Sequence, residues 1–522
     1  MQNQSTGSAL EVRQKVAHGE TVGWLVVGLP ALDGVTVNRG HYFLRPIRGL
    51  IHFIGLPAAA AVGYFRPLLR SFIGVLKLRQ RFLFCVLMML NFSLPAITFN
   101  VLDYGAKGDG ATLDTAAIQR AIDVAAGQGG QVLIPRKKIF LVSTLDLKGG
   151  IDFHLAGTLL ISTNQSDYAG DGVITASNAP NLKITGDGKI LGQSLSFMTG
   201  YEATNEWWLF KEWRPKMFVL TGCTNLVVRD ITFGDAPYWG LHMLGCVQVL
   251  VDNVTVNNRL DVPNDDGIDP DHCRDVEIKN CHVTCGDDAI VIKSTRQTND
   301  FGDCAHIHVH DCVIRTQDAG LKIGTESVGK IHDILFERCK ILSGSRGLCI
   351  QLRDEGDISV VTFRDIQFNA RYFSAPWWGR GEAISFTAIP RSAFTKLGKL
   401  HDILVENVSG VAENSVRING SRMSRIDSVR LKNVAVKLNR WTKYPGDVYD
   451  NRPTKIAQPV EDHDTDGFNL RNADNTSLEN CSIHWSRKCP DSFRDSVRAE
   501  KVTALKLVQF SGDSARHPLV VQ

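Results

Sequence analysis

The chain has 522 residues, 43% of them hydrophobic and 22% charged, which excludes both a disordered polymer and a wholly membrane-embedded protein. Its net charge of +3 is unevenly spread: residues 1–97 carry ten Lys/Arg against three acids, leaving 48 cations against 52 carboxylates in the remainder. A slightly acidic body excludes broad nucleic-acid binding, which needs a basic face to neutralise phosphates, so affinity for an anionic partner has to come from a local cleft.

Lys77, Arg79 and Arg81, the apolar run 82–90 and Ser93-Leu94-Pro95-Ala96 read in that order as an export signal over 77–96. The alternative is a membrane anchor, since 82–99 contains no charge and is just long enough to span. Residues 1–76 are read as a doubtful extension upstream of a start near Val75, or as a membrane-associated segment whose apolar runs are broken by Arg66 and Arg70. The expected location is secreted or periplasmic, with a catalytic domain over 97–522 and no stable membrane association once the signal is removed.

Asn100 to Gly110 is glycine-rich and precedes a predicted helix over 115–126, where Ile118, Ala121, Ile122 and Ala125 form one apolar stripe and Asp114 stands at the cap. The glycines run GxxGxG, the Lys-Ser/Thr of a phosphate loop is missing and no βαβ unit follows, so a helix covering the end of a solenoid is the better reading.

From about residue 180 a short alternation of apolar residues recurs, ending in a small polar residue and then Cys or a branched aliphatic. The polar residue falls at 230, 253, 280, 311, 338, 365, 407, 433 and 480; two intervals, of 42 and 47, require an insertion or a skipped coil. Period-2 alternation marks strands, and the longer period marks stacked coils that bury their faces only against one another. No helical pattern separates the strands, which argues against a barrel or doubly wound sheet. The expected fold is all-β: a single-stranded right-handed parallel β-helix with a short N-terminal capping helix. Cys281, Cys312, Cys339 and Cys481 share one place in the repeat and are expected as buried thiols, the first three stacked.

The carboxylates are densest in Asn264-Asp265-Asp266-Gly267-Ile268-Asp269-Pro270-Asp271 and in Gly286-Asp287-Asp288. Asp266 and Asp287 are 21 residues apart, about one coil, which predicts that they lie side by side on one face. Clustered like charges cost energy, so they point to chemistry: one carboxyl held protonated as an acid, the others ionised to activate water. The bland alternatives are Asp-rich surface turns or a calcium site, although an EF-hand loop with Gly267 at its sixth position would place Cys273 at its twelfth.

These motifs resemble glycoside hydrolase family 28, the polygalacturonase family, with its Asn-Thr-Asp-Gly on one coil and Gly-Asp-Asp on the next; Asp265 replaces the Thr. The likeness extends through Trp207-Trp208, Arg214-Pro215 and the segment Asp235 to His242, and covers roughly residues 98 to 370. The resemblance implies an inverting hydrolase of pectic polysaccharide, with Asp287 as general acid and Asp266 and Asp288 holding the water, and Asn264 and His242 at the substrate. Two departures stand out. The family's Gly-His-Gly becomes Asp318-Ala319-Gly320, and its Arg-Ile-Lys becomes Cys349-Ile350-Gln351, losing the cations that hold a galacturonate carboxylate. Lys293, Lys322 and Arg353 are the candidate replacements, with exposed strand cations as the bland alternative; a rhamnogalacturonan, another decorated pectin or an exo-acting mode also fits.

Beyond 374, Trp377, Trp378, Trp441 and Tyr444 suggest loops carrying exposed aromatics, and the insertion between Ala412 and Leu478 is expected to build a cleft rim. A calcium-dependent pectate lyase and a non-catalytic carbohydrate-binding β-helix are the competing functions. The sequence points to no cofactor and no metal, to an acidic polysaccharide as partner, and to a monomer.

Overall fold

The recurring polar residue is a corner. In the computed structural model, which describes residues 97–486, 489–514, 517 and 519–521, all nine of these positions have positive φ, from 49° at Arg338 to 65° at Asp230. Asn and Asp tolerate the left-handed region better than other side chains, which explains why eight of the nine corners are one of the two. The corners also stack: the Asn433 amide donates to Asn407 Oδ1 at 2.8 Å, and Asn480 to Asn433 Oδ1 at 2.8 Å.

Between corners the chain runs in strands, three to a typical coil. The coil that holds Asp266 contributes Ile268–Asp271, Arg274–Lys279 and His282–Cys285. The first strand of each coil joins a 13-stranded parallel sheet, here the site sheet; the others join a continuous 27-stranded sheet behind it. Leu241, Ile268, Ile290, Leu321, Leu348, Ile384, Val416 and Phe468 pair in one inward row of the site sheet. All are fully buried, and each such side chain contributes about 1.5–3 kcal/mol on removal from water. The fold is the expected right-handed parallel β-helix.

Both long intervals are insertions, not skipped coils. Arg364 pairs directly with Glu406, and Lys432 with Glu479. The extra residues, around 371–381 and 389–399 on either side of the site-sheet strand Glu382–Ala388, and around 439–467, lie outside the two long sheets.

A helix, Thr115–Gln128, packs its buried Ile118, Ala121, Ile122 and Ala125 over the first coil, as expected. Asp114 does not cap it by a side-chain hydrogen bond; its carboxylate instead accepts from the backbone N–H groups of Lys107 (2.7 Å) and Gly108 (2.9 Å), tying down the glycine loop. Cys281, Cys312, Cys339 and Cys481 are buried free thiols, and the Sγ atoms of the first three donate to the carbonyls two residues back at 3.2–3.3 Å. A second set, Cys223, Cys246, Cys273 and Cys304, each seven residues before a corner, is also buried and free. Among the described residues no helix is long and apolar enough to cross a membrane. The expected export signal and the upstream extension lie outside the described residues.

Candidate active site

Parallel pairing brings the acidic motifs together. The N–H of Gly267 donates to the Asp288 carbonyl at 2.9 Å, so Asp266 and Asp288 sit side by side just before the adjacent site-sheet strands Ile268–Asp271 and Ile290–Ser294. Gly267 is required by this approach: a Cβ there would stand 2.3 Å from the Ala289 carbonyl oxygen. One carboxylate oxygen from each of Asp266, Asp287 and Asp288 lies within 4.8 Å of the other two, and all three residues are buried.

Each acid has a different partner set. Asp287 Oδ2 accepts from the Asn264 N–H (3.0 Å) and its Oδ1 from the Asp288 N–H (2.9 Å), with no cation bonded to it. Burial, then the nearby Asp266 and Asp318 carboxylates, raise its pKa to about 8. Asp288 is bonded by Lys322 Nζ at 2.5 Å; burial still lifts it to about 6, with Lys322 opposing and Asp287 adding. Asp266 is held by Lys293 Nζ at 2.8 Å, and the same ammonium lies 3.1 Å from the fully buried Asp269. The Lys293 ammonium also sits 3.8 Å from the Trp239 ring centre. The result is one neutral-prone carboxyl beside two ion-paired carboxylates.

Asn264 serves Asp287. Its φ of 62° turns the N–H toward that carboxylate, and its side-chain oxygen accepts from Arg214 at 2.9 Å. Arg214 also binds the Pro237 and Pro263 carbonyls at 2.9 and 2.8 Å, pinning the loop that carries the acids. Asp265 Oδ1 accepts from the Gly286 (2.6 Å) and Asp287 (3.1 Å) N–H groups, and burial pushes its carboxyl well above the usual range. It is an acceptor for the Asp287 backbone whose charged form burial disfavours. Asp265→Asn keeps that acceptor and is expected to keep most of the activity, whereas Asp265→Ala strands two buried N–H groups, at about 1–3 kcal/mol each in stability. Urea melts of the two variants, with their kcat values, check this.

The other expected substrate residues are all buried. His242 is buried, with Nε2 3.1 Å from Asp271 Oδ2 and its ring against Trp239. Lys293 and Lys322 are engaged by the acids themselves. Arg353 is not brought to the site: it is 0% exposed, past the end of its strand, bonded to Thr387 Oγ1 (2.9 Å) beneath Asn451. Burial, with Arg346 and Arg417 nearby, lowers its pKa to about 9. The expected exposed aromatics are mixed: Trp441 is 40% exposed, but Trp377 is buried and Trp378 lies under Arg452.

Asp318, read only as the residue before the missing histidine, is a fourth buried acid. Burial and Asp288 raise it to about 7, and Arg346 Nη1 lies 3.2 Å from it. Its register was legible in principle, since it falls one coil after Asp287. Asp269 offered no signal beyond its place in an acidic run.

The family model described as Glycosyl hydrolases family 28 matches residues 126–448, more than half of the chain. A probable polygalacturonase of Arabidopsis thaliana is 28% identical over 301 residues, covering 53% of this chain and 61% of that protein. An exopolygalacturonase of Zea mays is 26% identical over 313 residues, covering 52% and 76%. The chain thus spans about three-fifths of the length of the Arabidopsis relative. Among solved structures, an exopolygalacturonase of Thermotoga maritima superposes with a TM-score of 0.56 at 22% identity, over 66% of this chain and 88% of that one. A family 28 exopolygalacturonase of Yersinia enterocolitica gives 0.60 at 17% identity, over 79% and 78%. At such identities these likenesses show the fold, while the match of motif-bearing sequence shows the family: this chain belongs to glycosyl hydrolases family 28.

Proposed function

We propose that the protein hydrolyses glycosidic bonds in a pectic, galacturonate-type polysaccharide. The observation that carries this is the split among three adjacent carboxyls: Asp287 bonded to no cation and raised to about 8, Asp266 and Asp288 each bonded to a lysine. Asp287 protonates the leaving oxygen, and Asp266 and Asp288 orient the attacking water. The substrate class is supported by the relatives named as polygalacturonases.

Inversion is part of the proposal. In the two-carboxylate inverting arrangement the groups stand about 6.5–9.5 Å apart, with water between them. One oxygen from each of the three acids lies within 4.8 Å of the others here, closer than that spacing, so inversion rests on Asp266 and Asp288 holding the water together. Proton NMR of the first-formed product tests this: the inverted anomer is expected, and the retained anomer would make Asp288 a nucleophile. Digestion of a pectin panel, followed by reducing-end and ultraviolet assays, separates hydrolysis from lyase cleavage and from mere binding.

The three acids could in principle hold a cation, since they offer converging oxygens. Two of them already carry ammonium groups at 2.5–2.8 Å, which a divalent ion would have to displace. Activity is therefore expected to survive excess EDTA; loss restored by calcium would favour the lyase reading. Action on cell-wall polysaccharide also calls for export, tested by whether the N-terminal segment directs a reporter out of the cell.

A further inference from the structure

Beyond the acids, the outward face of the site sheet buries two cations with little to offset them. Residues that alternate with the inward row point away from the core. On the downstream strands these include Cys349, Ser385 and Arg417, which pair in one row, and Arg353 stands just past the end of Arg346–Leu352. All four are at most 1% exposed, because the segment through Tyr449 and Asn451 lies over them.

The guanidiniums of Arg353 and Arg417 converge on Asn451. Arg417 Nη2 donates to Asn451 Oδ1 at 2.6 Å, and Arg353 Nη2 reaches the Asn451 carbonyl at 3.5 Å while its Nη1 donates to Thr387 Oγ1 at 2.9 Å. Their remaining nitrogens, Arg353 Nε and Arg417 Nε and Nη1, have no acceptor among the described residues. The Ser385 hydroxyl, beside Arg417 in the register, has no partner there either. Buried polar atoms in proteins nearly always find a partner, so four on neighbouring strands point to a shared one.

Charge points the same way. The cations Arg346, Arg417 and Arg391 act on Arg353, and Cys349, the one group nearby that could offset them, is a thiol pushed up to about 12 by burial and therefore neutral. Asp354, the next residue, is turned to Arg391 at 2.7 and 3.1 Å. Asp318, Asp450 and Glu382 surround Arg346, and Asp450 is also bonded by Arg452 at 2.7 Å. Glu461, 3.7 Å from Arg417, is held more closely by Arg471 at 2.9 Å. Arginine keeps its proton in proteins, and a buried charge is costly unless it is paired.

We infer that a small free anion of the halide class is bound between Arg353 and Arg417, held by their unpaired N–H groups and the Ser385 hydroxyl, and that it fastens the Asn451 segment to the site sheet. Complete burial suits a compact ion better than a sugar carboxylate, which brings its ring with it. The anion takes no part in the chemistry of Asp266, Asp287 and Asp288, so the inference is independent of the hydrolase reading.

The test starts from protein dialysed into gluconate and adds chloride, bromide or galacturonate at constant ionic strength and pH 7. Thermal melting and amide hydrogen exchange are followed. Chloride and bromide are expected to raise the melting temperature saturably and to slow exchange at 448–452, leaving 268–271 unchanged. Arg353→Gln and Arg417→Gln should each weaken bromide affinity by about tenfold or more, as expected for loss of a charge-assisted hydrogen bond. In crystals of the wild-type protein grown with bromide, anomalous scattering should place one ion within hydrogen-bonding reach of both guanidiniums; this map decides the question even if a variant does not fold. Melting that is indifferent to the anion, or a map with no peak between Arg353 and Arg417, overturns the inference. A response to galacturonate without one to the halides also overturns it, and assigns the two arginines to a sugar carboxylate.

Discussion

Asp287→Asn is expected to lower kcat by about 10²–10⁴-fold, the range for lost proton transfer, with KM little changed. Wild-type activity should follow a bell in pH. The rising limb comes from ionisation of Asp288, near 6, and the falling limb from deprotonation of Asp287, near 8. Because these acids interact, the limbs belong to the cluster. The substitution should also be benign for the fold. A carboxyl whose folded pKa is raised adds stability below its unfolded pKa, and that stability is lost as pH rises through the folded value. Between those values the native state holds a proton the unfolded chain would release, so Asn, which cannot ionise, should equal or exceed the wild type in thermal stability at pH 8. A variant that keeps more than half of the activity removes Asp287 from the role; one that melts earlier at pH 8 shows that its carboxylate is stabilised by the fold.

Lys293→Met should be the most damaging single change to the folded structure. Lys293 is buried between Asp266 and Asp269, and its ammonium is held firmly in the charged form by both. Removing one partner of a buried pair leaves uncompensated charge and typically costs about 3–5 kcal/mol. Here two carboxylates lose their cation, and Asp269, already pushed well up by burial, has no other bonded donor. The loss should be greater at pH 8 than at pH 5, because protonation of Asp269, favoured by its burial, relieves it at low pH. Urea denaturation at both pH values checks this; equal losses would mean that packing against Trp239, not charge, is what Lys293 supplies.

Much of this was legible in the sequence because a β-helix is written as a repeat. Corner residues, inward aliphatics and stacked cysteines each recur at coil spacing, and register follows once they are aligned. Asp266, Asp287 and Asp288 were found the same way, since residues one coil apart become neighbours. The substrate cations were not legible. Lys293 and Lys322 follow motif strands, which located them, but the sequence does not say that their charge is spent on Asp266 and Asp288. Arg353 was read as a replacement cation or an exposed strand cation, whereas its strand ends at Leu352 and the second insertion folds over it. Insertions carry no repeat, so what they cover depends on tertiary packing that periodicity cannot report.

The stacked cysteines bear on how long the protein lasts. Ten of the eleven described thiols are buried, and those of one stack, on Cys281, Cys312 and Cys339, belong to successive coils. While the coils stay closed, oxidants cannot reach them. A coil that opens exposes its own sulfur beside its neighbours', where two thiols can be joined by any disulfide-forming oxidant. In an oxidising medium each brief opening then becomes a chance of permanent covalent damage, so working lifetime is set by the rate of opening and not by the equilibrium between folded and unfolded chains.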